Sequence, residues 1–439
     1  MKLAILGGGG FRIPLIYRAL IDDRSEHRIT EVTLYDTADD RLRVIESVLA
    51  AMASTADWAP SVSRARTLEE AVTGARFVFS AVRVGGLAGR IRDERLAIDL
   101  GVLGQETTGP GGLNYGLRTI PVAMQIAAAV RDFASEAWVL NFTNPAGMIT
   151  QAMQRTLGER VIGICDAPES MVLRIALAAG FDRRPDEVDY VGLNHLGWLR
   201  GITVDGTDLL PSVLADDTLL GSLEEGQIFG TDWLRAQGCI PNEYLYYYDF
   251  TREAVAAIQQ AGSTRGEYLQ HQQSAFYTAA AAGGDVLTLW QRAVDERQAS
   301  YLAEARPAGT DRPAKPDVGG YERVALEVMT AIAADTGSVM ILNVRNGSAV
   351  AGLPADAVVE VASRVDARGA HPLSTAAPRL SQLGLMQQVK AVEELTIRAA
   401  DTGSADDAWL AFARHPLVDS AKVARQLVTR YFDAGVTNR

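Results

Sequence analysis

To about residue 165 the chain alternates short, β-branched apolar runs with longer stretches whose apolar residues recur at helical spacing. The spacing predicts strands at 2–6, 31–35, 77–82, 138–142 and 161–165, and helices at 14–21, 41–53 and 120–133. Near-continuous apolar strands separated by helices predict a doubly wound parallel α/β sheet covered on both faces. After about residue 190 the pattern changes and helical stretches such as 263–282 and 381–401 dominate. The segment 306–320, with its prolines, glycines and charges, reads as a loop or mobile excursion. The expected organisation is an α/β domain over 1–190 followed by a mixed, helix-rich α+β domain over 191–439, with the functional site between them.

Composition narrows this further. A chain of 439 residues exceeds one ordinary core. With 48% hydrophobic and 22% charged residues it has the balance of a folded globular protein. The net charge of −12 argues against a nucleic-acid binder. No apolar run reaches membrane-spanning length, and the chain starts directly on an apolar strand without a charged leader, so the expectation is a cytoplasmic protein. Two cysteines, Cys165 and Cys239, make no disulfide framework.

The first strand runs into glycines, LAILGGGGFR at 3–12, and a helix follows. Glycines allow a tight turn and a close approach to a pyrophosphate, whose charge then sits at the helix N-terminus. With Gly7 and Gly9 as the first two glycines of the fingerprint, the third position holds Arg12. Asp36 ends the next strand, where a carboxylate can bind a ribose diol and repel a 2′-phosphate, favouring NAD over NADP. A glycine turn that binds nothing is the plainer alternative.

Four further motifs follow strands, at the edge where such sheets bind ligands. They are GGLAGRIRDER at 85–95 leading to GQETTGPGG at 104–112, NFTNPAG at 141–147, GICD at 163–166 and GLNHL at 192–196. Taken singly, Asn-Pro is a turn, Cys165 a core residue and His195 a structural histidine. Together, a soft thiolate and an imidazole with open positions suit a catalytic divalent ion such as Mn²⁺ or Fe²⁺, two protein ligands being too few for structural zinc.

In this order, with IPNEYLYYY at 240–248 and the later NVRNG at 343–347, GLP at 352–354 and Val359, Glu360 and Val361, the motifs resemble glycoside hydrolase family 4 over nearly the whole chain. The likeness is greatest to the NAD- and Mn²⁺-dependent 6-phospho-β-glucosidases. It implies a Rossmann-type domain followed by a helix-rich domain, the layout of lactate and malate dehydrogenases. It also implies an unusual route, outside the paired-carboxylate mechanism. The sugar is oxidised at carbon 3, a tyrosinate removes the proton at carbon 2, the aglycone is eliminated, water adds at carbon 1 and the sugar is re-reduced. By this resemblance Cys165 and His195 are metal ligands, Tyr244 is the base, Asp166 assists the oxygen at carbon 1, and Glu106 increases the basicity of the tyrosine. Arg90, Asn144 and Arg265 bind substrate. Gly7, Gly8, Gly9, Gly10, Phe11, Arg12, Asp36, Arg41 and Asn144 bind the cofactor. The base has rivals in Tyr246, Tyr247 and Tyr248, and any one of these can be an aromatic packing residue. Phe11 and Arg12 depart from the small or polar residues common in the family, and no phosphate cradle is visible in the sequence. The resemblance implies a phosphorylated glycoside as substrate and a homodimer or homotetramer.

Two other readings use the same features. An NAD-dependent 2-hydroxy acid dehydrogenase shares the architecture but has no need for a thiolate beside an acid. A non-catalytic NAD sensor leaves the metal and base positions idle. The same chemistry on an α-linked, uncharged, glucuronide or 6-sulfonated sugar is a nearer alternative.

Overall fold

The computed structural model describes residues 1–302, 305 and 320–433. Apart from Gly320, the segment expected to be a loop or excursion at 306–320 lies outside the described residues. Six strands form the parallel part of the sheet: β1 (Lys2–Leu6), β2 (Glu31–Tyr35), β3 (Ser61–Arg64), β4 (Phe77–Ser80), β5 (Trp138–Asn141) and β6 (Val161–Gly163). Their order is β3-β2-β1-β4-β5-β6, so the chain reverses its direction of travel between β1 and β4. That switch opens a crevice at the carboxyl ends of these two strands.

Alternation along β1 shows why both faces are covered. Leu3 and Ile5 join the cluster of Ile16, Tyr17, Leu20, Val48 and Leu49, from the helices Ile13–Asp22 and Asp39–Ser54. Ala4 and Leu6 join Ile120, Ala123 and Val130 of the helix Pro110–Phe133 on the other face. The expected sheet is therefore present, with β3 added to it.

The remaining strands are β7 (Glu187–Leu193), β8 (Leu196–Val204), β9 (Thr207–Asp208), β10 (Ile240–Pro241), β11 (Ser338–Arg345), β12 (Val358–Asp366) and β13 (Gly369–Pro372). They extend the same sheet in the order β6-β11-β12-β7-β8-β10, all antiparallel. One sheet thus runs through both halves of the chain. Among the described residues, no helix is long and apolar enough to cross a membrane.

Three strands stop earlier than their apolar runs. Ala81, Val82, Phe142, Ile164 and Cys165 lie past the strand ends and line a cavity instead. The helix expected at 120–133 begins at Pro110, and Pro110 through Ile120 are all buried, which erases any amphipathic period. Its glycines are steric necessities. A Cβ at Gly111 would stand 2.0 Å from Gln105 O, and one at Gly112 would stand 2.1 Å from Thr107 O. The loop carrying Glu106 therefore crosses directly over this helix start.

The helix Gly86–Ile98 is locked onto Pro110–Phe133 by the bidentate pair of Arg118 with Asp93, at 2.6 and 3.1 Å. Both side chains are at most 5% exposed. Removing one partner leaves a buried charge, so Asp93→Ala is expected to cost about 3–5 kcal/mol in denaturant unfolding. The double replacement Asp93→Leu/Arg118→Met is expected to recover most of that loss. A single variant as stable as the parent would contradict this role.

Candidate active site

A cavity of about 910 Å³ lies where the crevice between β1 and β4 faces the second half of the chain. On one side, the turn after β1 folds back on the sheet. Gly7 has φ +84°, and a Cβ there would be 2.6 Å from Ala81 O. Its amide and that of Gly8 donate to Tyr35 O. Asp36 Oδ2 accepts from the Gly9 amide and Oδ1 from Ala38, both at 2.9 Å. Asp36 therefore shapes the turn itself. Gly10, Phe11, Arg12 and Arg41 line the cavity, and Gly7, Gly8, Gly9 and Asp36 stand outside it.

Cys165 and Asp166 follow β6, with Asp166 at the N-cap position of the helix Ala167–Ala178. His195 lies in the two-residue link between β7 and β8 and takes φ +60°, a conformation uncommon for a residue with a Cβ. Its Nδ1 is 2.9 Å from Thr107 Oγ1, leaving Nε2 as the nitrogen for a ligand. Burial lowers its pKa to about 4, so the ring is neutral at pH 7, as a metal ligand must be. Burial raises the Cys165 thiol well above its ordinary value. An adjacent divalent cation opposes that by favouring the thiolate. Cys165 and His195 both line the cavity, and a soft thiolate paired with a neutral imidazole fits a borderline divalent metal. Among the described residues no group of three or more His, Cys, Asp or Glu side chains is placed to hold a metal.

Tyr244 sits in the single helical turn Glu243–Leu245, held by its amide donating to Asn242 Oδ1 at 3.1 Å. Its ring lies flat on His195, with centroids 3.7 Å apart and an interplanar angle of 4°. Of its neighbours, Tyr247 also lines the cavity, whereas Tyr246 stacks on Phe250 and Tyr248 on His415. The Tyr301 hydroxyl is 3.0 Å from that of Tyr244 and 2.6 Å from Glu243 Oε1. Burial, then the Glu243 charge, raises the Tyr244 phenol well above its usual value.

Glu106, the acid expected to assist the tyrosine, is ion-paired to two arginines, and its charge is one of those that raise the Tyr244 phenol. Glu106 accepts from Arg83, and from Arg90 Nη1 at 2.6 Å. The two guanidinium charges overcome burial and hold its carboxyl far below the usual range. Glu94 completes the group, accepting from Arg90 Nε at 2.7 Å and from the Gly266 amide at 2.8 Å. That second bond fixes the start of the helix Arg265–Ala281 beside the cavity. Arg265 donates to Ser300 Oγ and to Arg297 O. Asn144 lines the cavity and accepts from the Ala146 amide through Oδ1. Arg12 reaches across the floor to Asp166 at 3.7 Å, stacked on Tyr321.

Sequence reasoning did not pick out Arg83, Thr107, Tyr301 or Arg297. Thr107 lay within a motif already singled out, and Arg83 sits just past a strand end. Arg297, in the helix Val286–Ala299, and Tyr301, in the turn just after it, line the cavity with no local signal in the sequence. Burial and the charges of Arg12, Arg265 and Arg90 lower Arg297 to about 9, the mark of a cation crowded by other cations.

Comparison with known proteins extends across this whole arrangement. Residues 2–180 match the model of the family 4 glycosyl hydrolases, and residues 190–418 that of the family 4 glycosyl hydrolase C-terminal domain. The chain belongs to glycosyl hydrolase family 4. A family 4 relative from Bacillus subtilis (strain 168), a probable 6-phospho-beta-glucosidase, is 30% identical, covering 99% of this chain and 96% of the relative. A 6-phospho-alpha-glucosidase from Leptotrichia buccalis is also 30% identical, over 99% and 97%. The 6-phospho-beta glucosidase of Thermotoga maritima, solved with manganese, NAD⁺ and glucose-6-phosphate, superposes with a TM-score of 0.85 at 26% identity, over 99% of this chain and 98% of that one.

The Glu106 cluster gives a pH-dependent stability. Its folded pKa is depressed, so its contribution is full above the unfolded carboxylate value of about 4.3 and fades as pH falls through the lower folded value. Glu106→Gln is expected to melt well below the parent at pH 7, with the gap closing in strong acid. A gap that is constant from pH 8 to pH 3 would exclude this origin.

Proposed function

We propose that this family 4 enzyme hydrolyses 6-phospho-β-glucosides with bound NAD and a divalent metal, Mn²⁺ or a close substitute. The observation that carries the reading is the opposition, across one cavity, of a glycine turn opening a helix to the group of Cys165, His195 and Tyr244. Two amides of the turn, those of Phe11 and Arg12, donate to no acceptor among the described residues, which suits a pyrophosphate. Bound NAD supplies reversible hydride acceptance at carbon 3 of the sugar and the cation supplies Lewis acidity there, which together acidify the proton on carbon 2.

The chain's own residues do the rest. Cys165 and His195 Nε2 hold the cation. Tyr244 takes the carbon-2 proton, and Tyr301 fixes the direction of its hydroxyl. Its ionised form depends on positive charge beside His195, because burial alone keeps the phenol protonated. Asp166, at a helix N-terminus and near Arg12, attends the oxygen leaving or entering at carbon 1. Arg90, Asn144 and Arg265 bind the sugar, and Arg41 joins the glycine turn in binding the cofactor. Glu106 holds Arg83 and Arg90 in place, and its charge adds to the basicity of Tyr244. The crowded cations around Arg297 favour an anionic substituent over an uncharged sugar. A hydroxy-acid dehydrogenase would leave Cys165 and Tyr244 without a task. The resemblance further implies a dimer or tetramer working in the cytoplasm, where NAD and phosphorylated sugars coexist.

With NAD⁺, Mn²⁺ and nitrophenyl 6-phospho-β-glucoside in deuterated water, the expected product carries deuterium at carbon 2 with no net NADH. Accumulating NADH would point to a dehydrogenase, and hydrolysis without exchange would overturn the route. The α-anomer run in parallel tests the linkage. Tyr244→Phe is expected to lose at least 100-fold in exchange while still binding NAD⁺. Retained exchange would move the base to Tyr247. Cys165→Ser is expected to weaken Mn²⁺ binding, read by calorimetry, and unchanged affinity would remove the thiolate from the metal site.

A further inference from the structure

Accounting for the polar backbone groups of the glycine turn shows that they are divided between the two halves of the chain. The amides of Gly7 and Gly8 are satisfied by Tyr35 O, that of Gly9 by Asp36, and that of Gly10 by Gly7 O. Those of Phe11 and Arg12 meet no acceptor among the described residues and remain for a ligand at the start of the helix Ile13–Asp22. Gly7 O and Gly10 O accept within the turn itself. Three other carbonyls accept aromatic donors from far along the chain. Gly9 O receives the Tyr277 hydroxyl at 2.7 Å, Phe11 O the Trp290 indole N–H at 3.0 Å, and Arg12 O the Tyr321 hydroxyl at 2.5 Å. These donors come from the helices Arg265–Ala281, Val286–Ala299 and Tyr321–Ala334.

Packing reinforces the bonds. Trp290 and Tyr321 are fully buried. The Phe11 ring meets Phe276 edge to face at 5.5 Å, and Arg41 lies over Tyr277 at 4.9 Å. Phe11 is thus the side chain through which this turn grips the helix that brings Tyr277.

We propose that Tyr277, Trp290 and Tyr321 are positioning residues for the dinucleotide, a clamp from the second half of the chain that fixes the turn through its carbonyls. Each peptide plane carries a carbonyl on one side and the next amide on the other. Holding Gly9 O and Arg12 O fixes the Gly10 and Ile13 amides on Gly7 O and Gly10 O, which closes the turn, and holding Phe11 O orients the amide of Arg12 toward the ligand. A turn held in this way meets the pyrophosphate without first being ordered, which slows cofactor release. Retention of the dinucleotide through repeated turnovers follows from the seating of the C-terminal helices and does not reside in the N-terminal half alone. The proposal rests on the NAD reading above.

The test uses the full-length enzyme without metal or sugar, with NAD⁺ binding followed by calorimetry and its release by stopped-flow. Tyr277→Phe and Tyr321→Phe each delete one oxygen and keep the ring. Each is expected to raise the NAD⁺ Kd about three- to tenfold, mostly through faster release, and the pair together by more than either alone. In turnover, KM for NAD⁺ is expected to rise more than kcat falls. Melting of the unliganded protein separates this from a loss of structure. Reduced binding stoichiometry with an unchanged Kd and a lowered melting temperature would show the tyrosines to be structural only and overturn the clamp. Parental Kd and release rate in both variants would overturn it as well. If the parent enzyme itself binds no NAD⁺, the cofactor reading fails, an outcome distinct from failure of the clamp.

Discussion

A single backbone pairing, Asn343 with Gly163, joins the parallel half of the sheet to the antiparallel half, and the site is built around that seam. Gly163 is required there, since a Cβ would stand 2.5 Å from Thr150 Oγ1 and 2.7 Å from Asn343 Cβ. Cys165 follows two residues later. From the other side, Asn343 donates to the buried carboxylate of Glu360 at 2.8 Å. The same carboxylate accepts from Asn194, next to His195, and from Tyr190, whose hydroxyl in turn receives Asn242, the cap of the Tyr244 turn. A thiol on a parallel strand end, an imidazole on a hairpin and a phenol on an isolated turn are thus held to one reference.

The rest of the cavity is organised by what burial does to charge. Arginines of the parallel half are neutralised in pairs and triples with Glu94, Glu106 and Asp93, which makes them rigid. Burial keeps His195 neutral and Tyr244 protonated. Arg297 and its cationic neighbours keep the surplus positive charge. The cavity thus keeps the neutral His195 ring and the Tyr244 phenol apart, by charge, from the cations around Arg297.

The sheet was legible in the sequence because strands buried on both faces must be continuously apolar, and the segments at Lys2–Leu6 and Glu31–Tyr35 have the predicted limits. The start of Pro110–Phe133 was hidden because a helix buried on every side shows no stripe. Strand ends were overextended where apolar residues turn to line the cavity. Cys165 and His195 stood out in motifs at strand ends, whereas Tyr244, Asp166, Arg90, Asn144 and Arg265 were named through the family resemblance of their motifs, and all seven line the cavity. Their partners could not be named.

By itself, the sequence determined that a glycine turn follows the first strand and that reactive residue types punctuate later strand ends, since local geometry and side-chain chemistry are properties of short segments. Only the tertiary structure decided which of them meet. It set Glu106 on two arginines, laid Tyr244 and not Tyr246 or Tyr248 on His195, and brought Tyr277, Trp290 and Tyr321 to carbonyls more than 260 residues away. Those contacts depend on how the helices of the second half seat against the first, which no short stretch of chain encodes.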